Sequence, residues 1–188
     1  FYGPAPGRRR MEKQGMLHLY IGNGKGKTTA AVGLAIRALG QGFRVLFAQF
    51  LKNTQTGEKT ILEGYPNKLL FFRPNQRHNT FLWNMTEEQL EQTRDDILLG
   101  WESLKQQMQT GGWDLVVLDE ILDCIQCNLL AEEDVFKAIA GRPCGVEVVL
   151  TGRNASQAFC GLADYISVID AFKHPFTKGI PARRGIEF

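Results

Sequence analysis

No stretch of this chain is apolar for the roughly 20 residues that a membrane-crossing helix needs, so no membrane partner is expected. Nor is there an excess of charge of one sign: 22 Lys and Arg against 20 Asp and Glu leave +2 over 188 residues. A nucleic-acid reader shows a clustered positive face. Here the only basic run, Arg8-Arg9-Arg10, falls in the Gly/Pro-rich start FYGPAPGRRR. That start also lacks the apolar stretch of a secretory signal. Residues 1–15 are read as an appended or disordered tail, with Met11 and Met16 as candidate starts, and residues 16–188 as a single domain. Cysteine is scarce as well. Cys124 and Cys127 make a C-x-x-C that could be half a zinc site, but Cys144 and Cys160 are too far apart to supply the other half. Free thiols in a reducing cytoplasm fit better. The pair follows LDEILD, where a helix is expected, and a spacing of three puts both thiols on one buried face.

Short apolar runs recur along the chain. MLHLYI (16–21), RVLFAQF (44–50), LLFFR (69–73), DLVVLD (114–119), VEVVLT (146–151) and YISVI (165–169) are the expected strands. Several lack polar alternation, as strands buried on both faces do in a parallel sheet covered by helices. Helical stretches separate them, which gives alternating β and α elements. The best specified helix starts at Thr86-Glu87-Glu88-Gln89, a capping box, and runs through Leu90, Ile97, Trp101, Leu104 and Met108 to Gly111-Gly112. The segment from Asn53 to Asn84 is the least regular and mixes turn residues with aromatics, as a binding loop does.

The first strand leads into GNGKG and then an Ala-rich helix, KTTAAVGLAIRALG. This strand–loop–helix is a phosphate-binding P-loop. Gly22, Gly24 and Gly26 allow conformations that aim successive N–H groups at an anion, with Asn23 and Lys25 between them. The helix N-terminus adds its dipole. Lys27 supplies a mobile charge for the outer phosphates, Thr28 a hydroxyl for Mg²⁺, and Thr29 follows in the first turn. The pattern asks for Gly at position 21, where this chain has Ile21.

The run WDLVVLDE ends in Asp119, placed at the crevice where open α/β sheets bind ligands and suited to hold Mg²⁺ directly or through water. Glu120 is open to several roles: orienting an attacking water, joining the metal shell, or capping the next helix in solvent. Arg153, in LTGRN, either clamps phosphate or is an ordinary surface arginine, and Arg37 on the first helix is a weaker candidate. Residues and spacing thus reach a Mg²⁺-dependent P-loop nucleotide-binding protein for ATP. They leave three outcomes open: hydrolysis, phosphoryl transfer, or departure of the whole triphosphate.

From Leu17 to Phe188 the chain resembles the P-loop class of ATP:corrinoid (cob(I)alamin) adenosyltransferases. The resemblance rests on GNGKGKTTAA with its non-Gly first position, on QFLK (49–52), on VVLDE and TGR, and above all on the C-terminal KHPFTKGIPARRGIEF. It implies a P-loop NTPase (RecA-like) three-layer α/β sandwich with a mostly parallel central sheet. It also implies transfer of the 5′-deoxyadenosyl group of ATP to the Co(I) of a reduced corrinoid, with loss of triphosphate. ATP would lie reversed along the loop, exposing C5′. By carry-over, Gly22 to Thr29 hold triphosphate, Lys27 its charge and Thr28 the Mg²⁺. Asp119 and Glu120 belong to the metal shell, Glu120 with a catalytic share, while Arg37 and Arg153 contact the nucleotide. Phe81 and Trp83 match the family's Phe-x-Trp under the corrin, although Thr80 and Leu82 depart from its usual Gly-Phe-Thr-Trp. Co(I) is itself a strong nucleophile, so none of His18, His78 or His174 is needed as a base. An electron donor such as a reduced flavoprotein and a homodimer are the partners implied. The competing readings are a P-loop ATPase or kinase and a non-catalytic ATP/corrinoid-binding module.

Overall fold

The strand runs form one six-stranded sheet, in which the near-continuous apolar runs 45–49 and 115–119 are buried along their whole length. In the computed structural model, which describes residues 14–187 apart from 53, 75–76 and 78–81, they are β1 (Leu17–Ile21), β2 (Val45–Gln49), β3 (Leu69–Phe72), β4 (Leu115–Asp119), β5 (Glu147–Gly152) and β6 (Tyr165–Val168). Their order across the sheet is β3-β2-β4-β5-β1-β6. Every pairing is parallel, so the expected mostly parallel sheet is parallel throughout the described residues.

Alternation along the strands divides the core. Leu46 and Ala48 of β2 and Val116 and Leu118 of β4 face one apolar cluster, while Val45, Phe47, Leu115 and Val117 face the other. The second is closed by Ala31, Ala35 and Ala38 of α1 (Lys27–Gly40) and by Leu62 of α2 (Gly57–Leu62). The small alanines let α1 lie close on the sheet. The first cluster takes Ile97, Trp101, Leu104 and Met108 from α3 (Glu87–Thr110), with further residues from α4 (Ile121–Gln126), α5 (Glu132–Ala140) and α6 (Gln157–Leu162). The result is the three-layer α/β sandwich of a P-loop NTPase.

Helix α3 begins as its capping box dictates: the Thr86 hydroxyl accepts from the Gln89 N–H and the Gln89 side chain accepts from the Thr86 N–H. The cysteine expectation is corrected. Cys124 is buried but Cys127 is exposed, because α4 stops at Gln126 and the chain turns at Asn128 with φ 54. Three residues apart is one face only while the helix lasts. At the chain's start, Gly15 already belongs to the fold: its N–H donates to the Cys144 carbonyl at 2.7 Å and its carbonyl accepts from Arg142 at 3.1 Å.

Because all six strands run the same way, their C-terminal ends share one edge. Register there sets Gln49 beside Asp119 and Ile21 beside Gly152. Ile21 is still strand, paired on both sides. The turn begins one residue later, at Gly22 with φ 117, which is why no glycine is required at position 21.

Candidate active site

The loop between β1 and α1 is held from behind by backbone. Gly22 N–H donates to the Arg153 carbonyl at 2.9 Å and Gly24 N–H to the Ile169 carbonyl at 2.7 Å. A Cβ at Gly22 would stand 2.4 Å from the Ile169 carbonyl oxygen. Helix α1 then opens on Gly26 (φ 128), with no side chain capping it and no acid in its first turn. Such an end offers N–H groups and a partial positive charge to an anion. Lys27 folds back, donating to the carbonyls of Gly22 (2.7 Å) and Gly24 (2.9 Å).

Asp119 is wholly buried at the end of β4 and collects donors from four directions. The Thr28 hydroxyl lies 3.0 and 3.1 Å from its two oxygens, Gln49 Nε2 donates at 3.1 Å, the Thr151 hydroxyl at 2.7 Å and the Lys52 ammonium at 3.1 Å. Lys52 also donates to Thr28 Oγ1 at 2.9 Å and lies 3.6 Å from Glu120 Oε1. Burial acts against its charge, but the Asp119 and Glu120 carboxylates outweigh it and raise the ammonium's pKa.

Glu120 takes φ 63, a left-handed conformation that a residue with a Cβ adopts only when its surroundings enforce it. The enforcing contact is its N–H, which donates to Thr151 Oγ1 at 2.8 Å. It stands at the cap position of α4, yet its side chain caps nothing. Instead the carboxyl lines the cavity. Burial pushes it up to about 7, against the pull of the Lys52 ammonium and with the push of the Asp119 charge.

The cavity in front of these groups measures about 480 Å³, a volume typical of small-molecule sites. Lys25, Lys27, Thr28, Thr29, Lys52 and Glu120 line it, and so do Gly185, Ile186 and Glu187 of the C-terminal segment. Glu187 is fixed there by Arg183, whose backbone and guanidinium N–H groups donate to its carboxylate at 2.7 to 3.3 Å.

The sequence-derived set thus divides. Gly24 through Thr29 and Glu120 meet at the cavity, and Gly22 and Asp119 support it directly. Asn23 sits exposed at the loop tip. Arg153 has an exposed side chain and serves the loop through its carbonyl, with its N–H on Asp123 at 3.0 Å. Arg37 is not brought to the loop: it is exposed on α1, ten residues or about 15 Å along the axis from Lys27. Trp83 lies in a 3₁₀ turn, Leu82–Asn84, and is 73% exposed. Phe81 and His78 lie outside the described residues. Sequence reasoning missed Gln49, Thr151 and Arg73. Each is a polar residue at or next to the C-terminal end of a strand: Gln49 ends β2, Thr151 comes one before the end of β5 and Arg73 follows β3, which is the local signal they carry.

The donor set suits Mg²⁺. One threonine hydroxyl and two carboxylates surround a point where a cation, the Lys52 ammonium, already stands. Among the described residues no three His, Cys, Asp or Glu side chains cluster as a closed metal cage. Mg²⁺ needs none, since it keeps waters and takes substrate phosphates as ligands. Among those residues, too, no helix is long and apolar enough to cross a membrane.

Residues 13–188 match the family model described as ATP:corrinoid adenosyltransferase BtuR/CobO/CobP. The corrinoid adenosyltransferase CobA of Salmonella typhimurium is 34% identical over 178 residues, covering 94% of this chain and 87% of that protein. The corrinoid adenosyltransferase of Escherichia coli is 33% identical with the same coverage, and that of Pseudomonas aeruginosa 32% identical over 94% of this chain and 85% of its own. With the phosphate loop and the C-terminal segment lining one cavity and the buried Asp119 behind it, the chain belongs to the ATP:corrinoid adenosyltransferase family.

Proposed function

We propose that this protein transfers the 5′-deoxyadenosyl group of ATP to the Co(I) of a reduced corrinoid, forming the cobalt–carbon bond and releasing triphosphate. One observation carries the reading beyond a generic nucleotide site. Gly185-Ile186-Glu187, part of the C-terminal stretch that general P-loop ATPases do not share, lines the same cavity as Lys27 and Thr28. In the reaction the cobalt electron pair attacks C5′, the C5′–O bond breaks, and its pair leaves on the triphosphate. No proton need move.

The work left to the protein is therefore charge stabilisation and alignment. The N–H groups of Gly24 to Thr29 would hold the phosphates, and Lys27 would exchange its loop carbonyls for phosphate oxygens. Thr28, Asp119 and Glu120 would hold Mg²⁺, which when bound supplies positive charge to the leaving group. Glu120 in that shell is the catalytic role assigned to it, in place of activating water. Phe81 and Trp83 are assigned to the corrin's lower face on the family's Phe-x-Trp pattern, and Trp83 is 73% exposed.

We further infer a cytoplasmic homodimer, formed by the single domain from residue 16 onward and served by an electron donor such as a reduced flavoprotein. Edge strand β6 supports the dimer, since Tyr165, Ile166 and Val168 are 45–61% exposed on a sheet edge that no other strand among the described residues pairs. The deciding experiment supplies ATP, Mg²⁺ and chemically reduced cobalamin without oxygen. Adenosylcobalamin and triphosphate should form together. ADP and phosphate as the main products would establish an ATPase or kinase, and tight binding of both substrates without product would establish a binding module.

A further inference from the structure

Among the described residues Lys52 is the one cation that reaches into the carboxylate pair, and three observations make it more than a neutralising neighbour. First, its ammonium is 2.9 Å from Thr28 Oγ1, 3.1 Å from Asp119 Oδ2 and 3.6 Å from Glu120 Oε1. Those are the oxygens assigned to Mg²⁺. A divalent ion at 2.0–2.1 Å from them and an ammonium at about 3 Å cannot share the space, because they compete for the same lone pairs and repel.

Second, the backbone is bent to deliver it. β2 ends at Gln49 and Leu51 takes φ 54, a left-handed conformation unfavourable for a residue with a Cβ. The bend directs the next residue back over the strand ends. Third, the side chain is free to leave. Lys52 lines the open cavity and its side chain is 22% exposed. A lysine's flexible stem can swing a point charge several ångströms without moving backbone, as a planar guanidinium fork cannot.

We propose that Lys52 is a tethered counter-cation of the metal site: it occupies the Thr28–Asp119–Glu120 oxygens in the free protein, and the divalent ion displaces it into the cavity toward the phosphates. The proposal rests on the metal-site assignment above and not on the identity of the acceptor. It makes metal entry and the arrival of a second lysine at the triphosphate one event. Lys27 is stored in the same fashion on the loop carbonyls, so both outer-phosphate charges are held in reserve until substrate comes. The arrangement also sets one positive charge between two neighbouring carboxylates.

The test uses Mn²⁺ as the probe, without nucleotide, followed by electron paramagnetic resonance on the full chain. Removing the competitor with Lys52→Met should tighten Mn²⁺ binding about tenfold to a hundredfold, the worth of a charge-assisted contact. Asp119→Asn in the Lys52→Met background should abolish that gain. Equal or weaker binding by Lys52→Met would overturn the proposal while leaving the metal site in place. Uptake by neither protein would remove both. A measurement on the unsubstituted protein covers the case in which the variant fails to fold. Acetylation of Lys52 by a small anhydride, read by mass spectrometry, should rise several-fold when Mn²⁺ is added, and an unchanged yield would equally sink the idea.

Discussion

Arg73 decides which way Gln49 faces. Its Nε donates to Gln49 Oε1 at 3.0 Å and its Nη2 donates to the same oxygen. The amide nitrogen is thereby left to point at Asp119 (3.1 Å) and Glu58 (3.0 Å). The same guanidinium reaches the Thr56 hydroxyl at 2.7 Å and the Thr54 carbonyl at 2.6 Å. A residue just past the end of β3 thus orients a donor on the carboxylate at the end of β4, across the intervening β2.

Arg73→Met should therefore cost about 2–4 kcal/mol in urea unfolding, because it strips donors from several acceptors in a buried network. Arg73→Lys should recover less than half of that, since one ammonium cannot span Gln49, Thr54 and Thr56 as the fork does. Full recovery by lysine would mean that charge alone matters there.

Lys27→Met should leave the fold intact, because the lysine lines the cavity and its contacts are to two loop carbonyls, not to the apolar core. Adenosyl transfer from pre-formed Co(I) should fall by roughly 10²–10³-fold, the usual loss when one preorganised donor to developing charge is removed. An unchanged single-turnover rate would take Lys27 out of the mechanism.

How much of the fold and of the site is legible in the sequence follows from which interactions are local. The strands are legible to within a residue or two because each is a short apolar run between turn signals, least interrupted in β2 and β4, which are buried along their length. Helix α3 was readable because its cap and periodicity are both encoded within a few residues. The loop from Gly22 to Thr28 was readable since its geometry depends on its own glycines. Gln49, Thr151 and Arg73 were not, because each gains meaning only from strands brought beside it. Arg37 shows the converse: it shares a helix with Lys27, but three turns of that helix carry it away. Cys127 failed because helix length, not spacing, set its exposure.

Gly22→Ala should lower both stability and ATP affinity. The position holds φ 117, which an alanine avoids, and a Cβ there would press on the Ile169 carbonyl at 2.4 Å. Relief requires moving the loop or the segment after β6, and the loss should be about 1–3 kcal/mol. Gly26→Ala separates the two causes. Gly26 shares the positive φ, but its nearest neighbour to a Cβ is 3.9 Å away, so it should show the backbone cost alone.

Away from the cavity, a contact between α3 and α5 contributes to acid stability. Trp101 is fully buried and its indole N–H donates to Asp134 Oδ2 at 2.6 Å, with Lys105 2.9 and 3.0 Å from the same carboxylate. Burial pushes the Asp134 carboxyl up, but the Lys105 and Trp101 donors together outweigh it and hold it below its ordinary 3.8. The unfolded chain then binds the proton more readily than the folded one, so stability rises with pH across that window. The contribution is complete above the unfolded value and is lost as the pH falls through the lower folded one. Asp134 is 45% exposed, so solvent screening limits it to about 0.5–1 kcal/mol. Asp134→Asn keeps an acceptor for Trp101 but no charge. The variant should be less stable by that amount at pH 7 and equal to the parent at pH 2. Unfolding curves that stay separated at pH 2 would show that packing of the indole, not the charge it faces, ties α3 to α5.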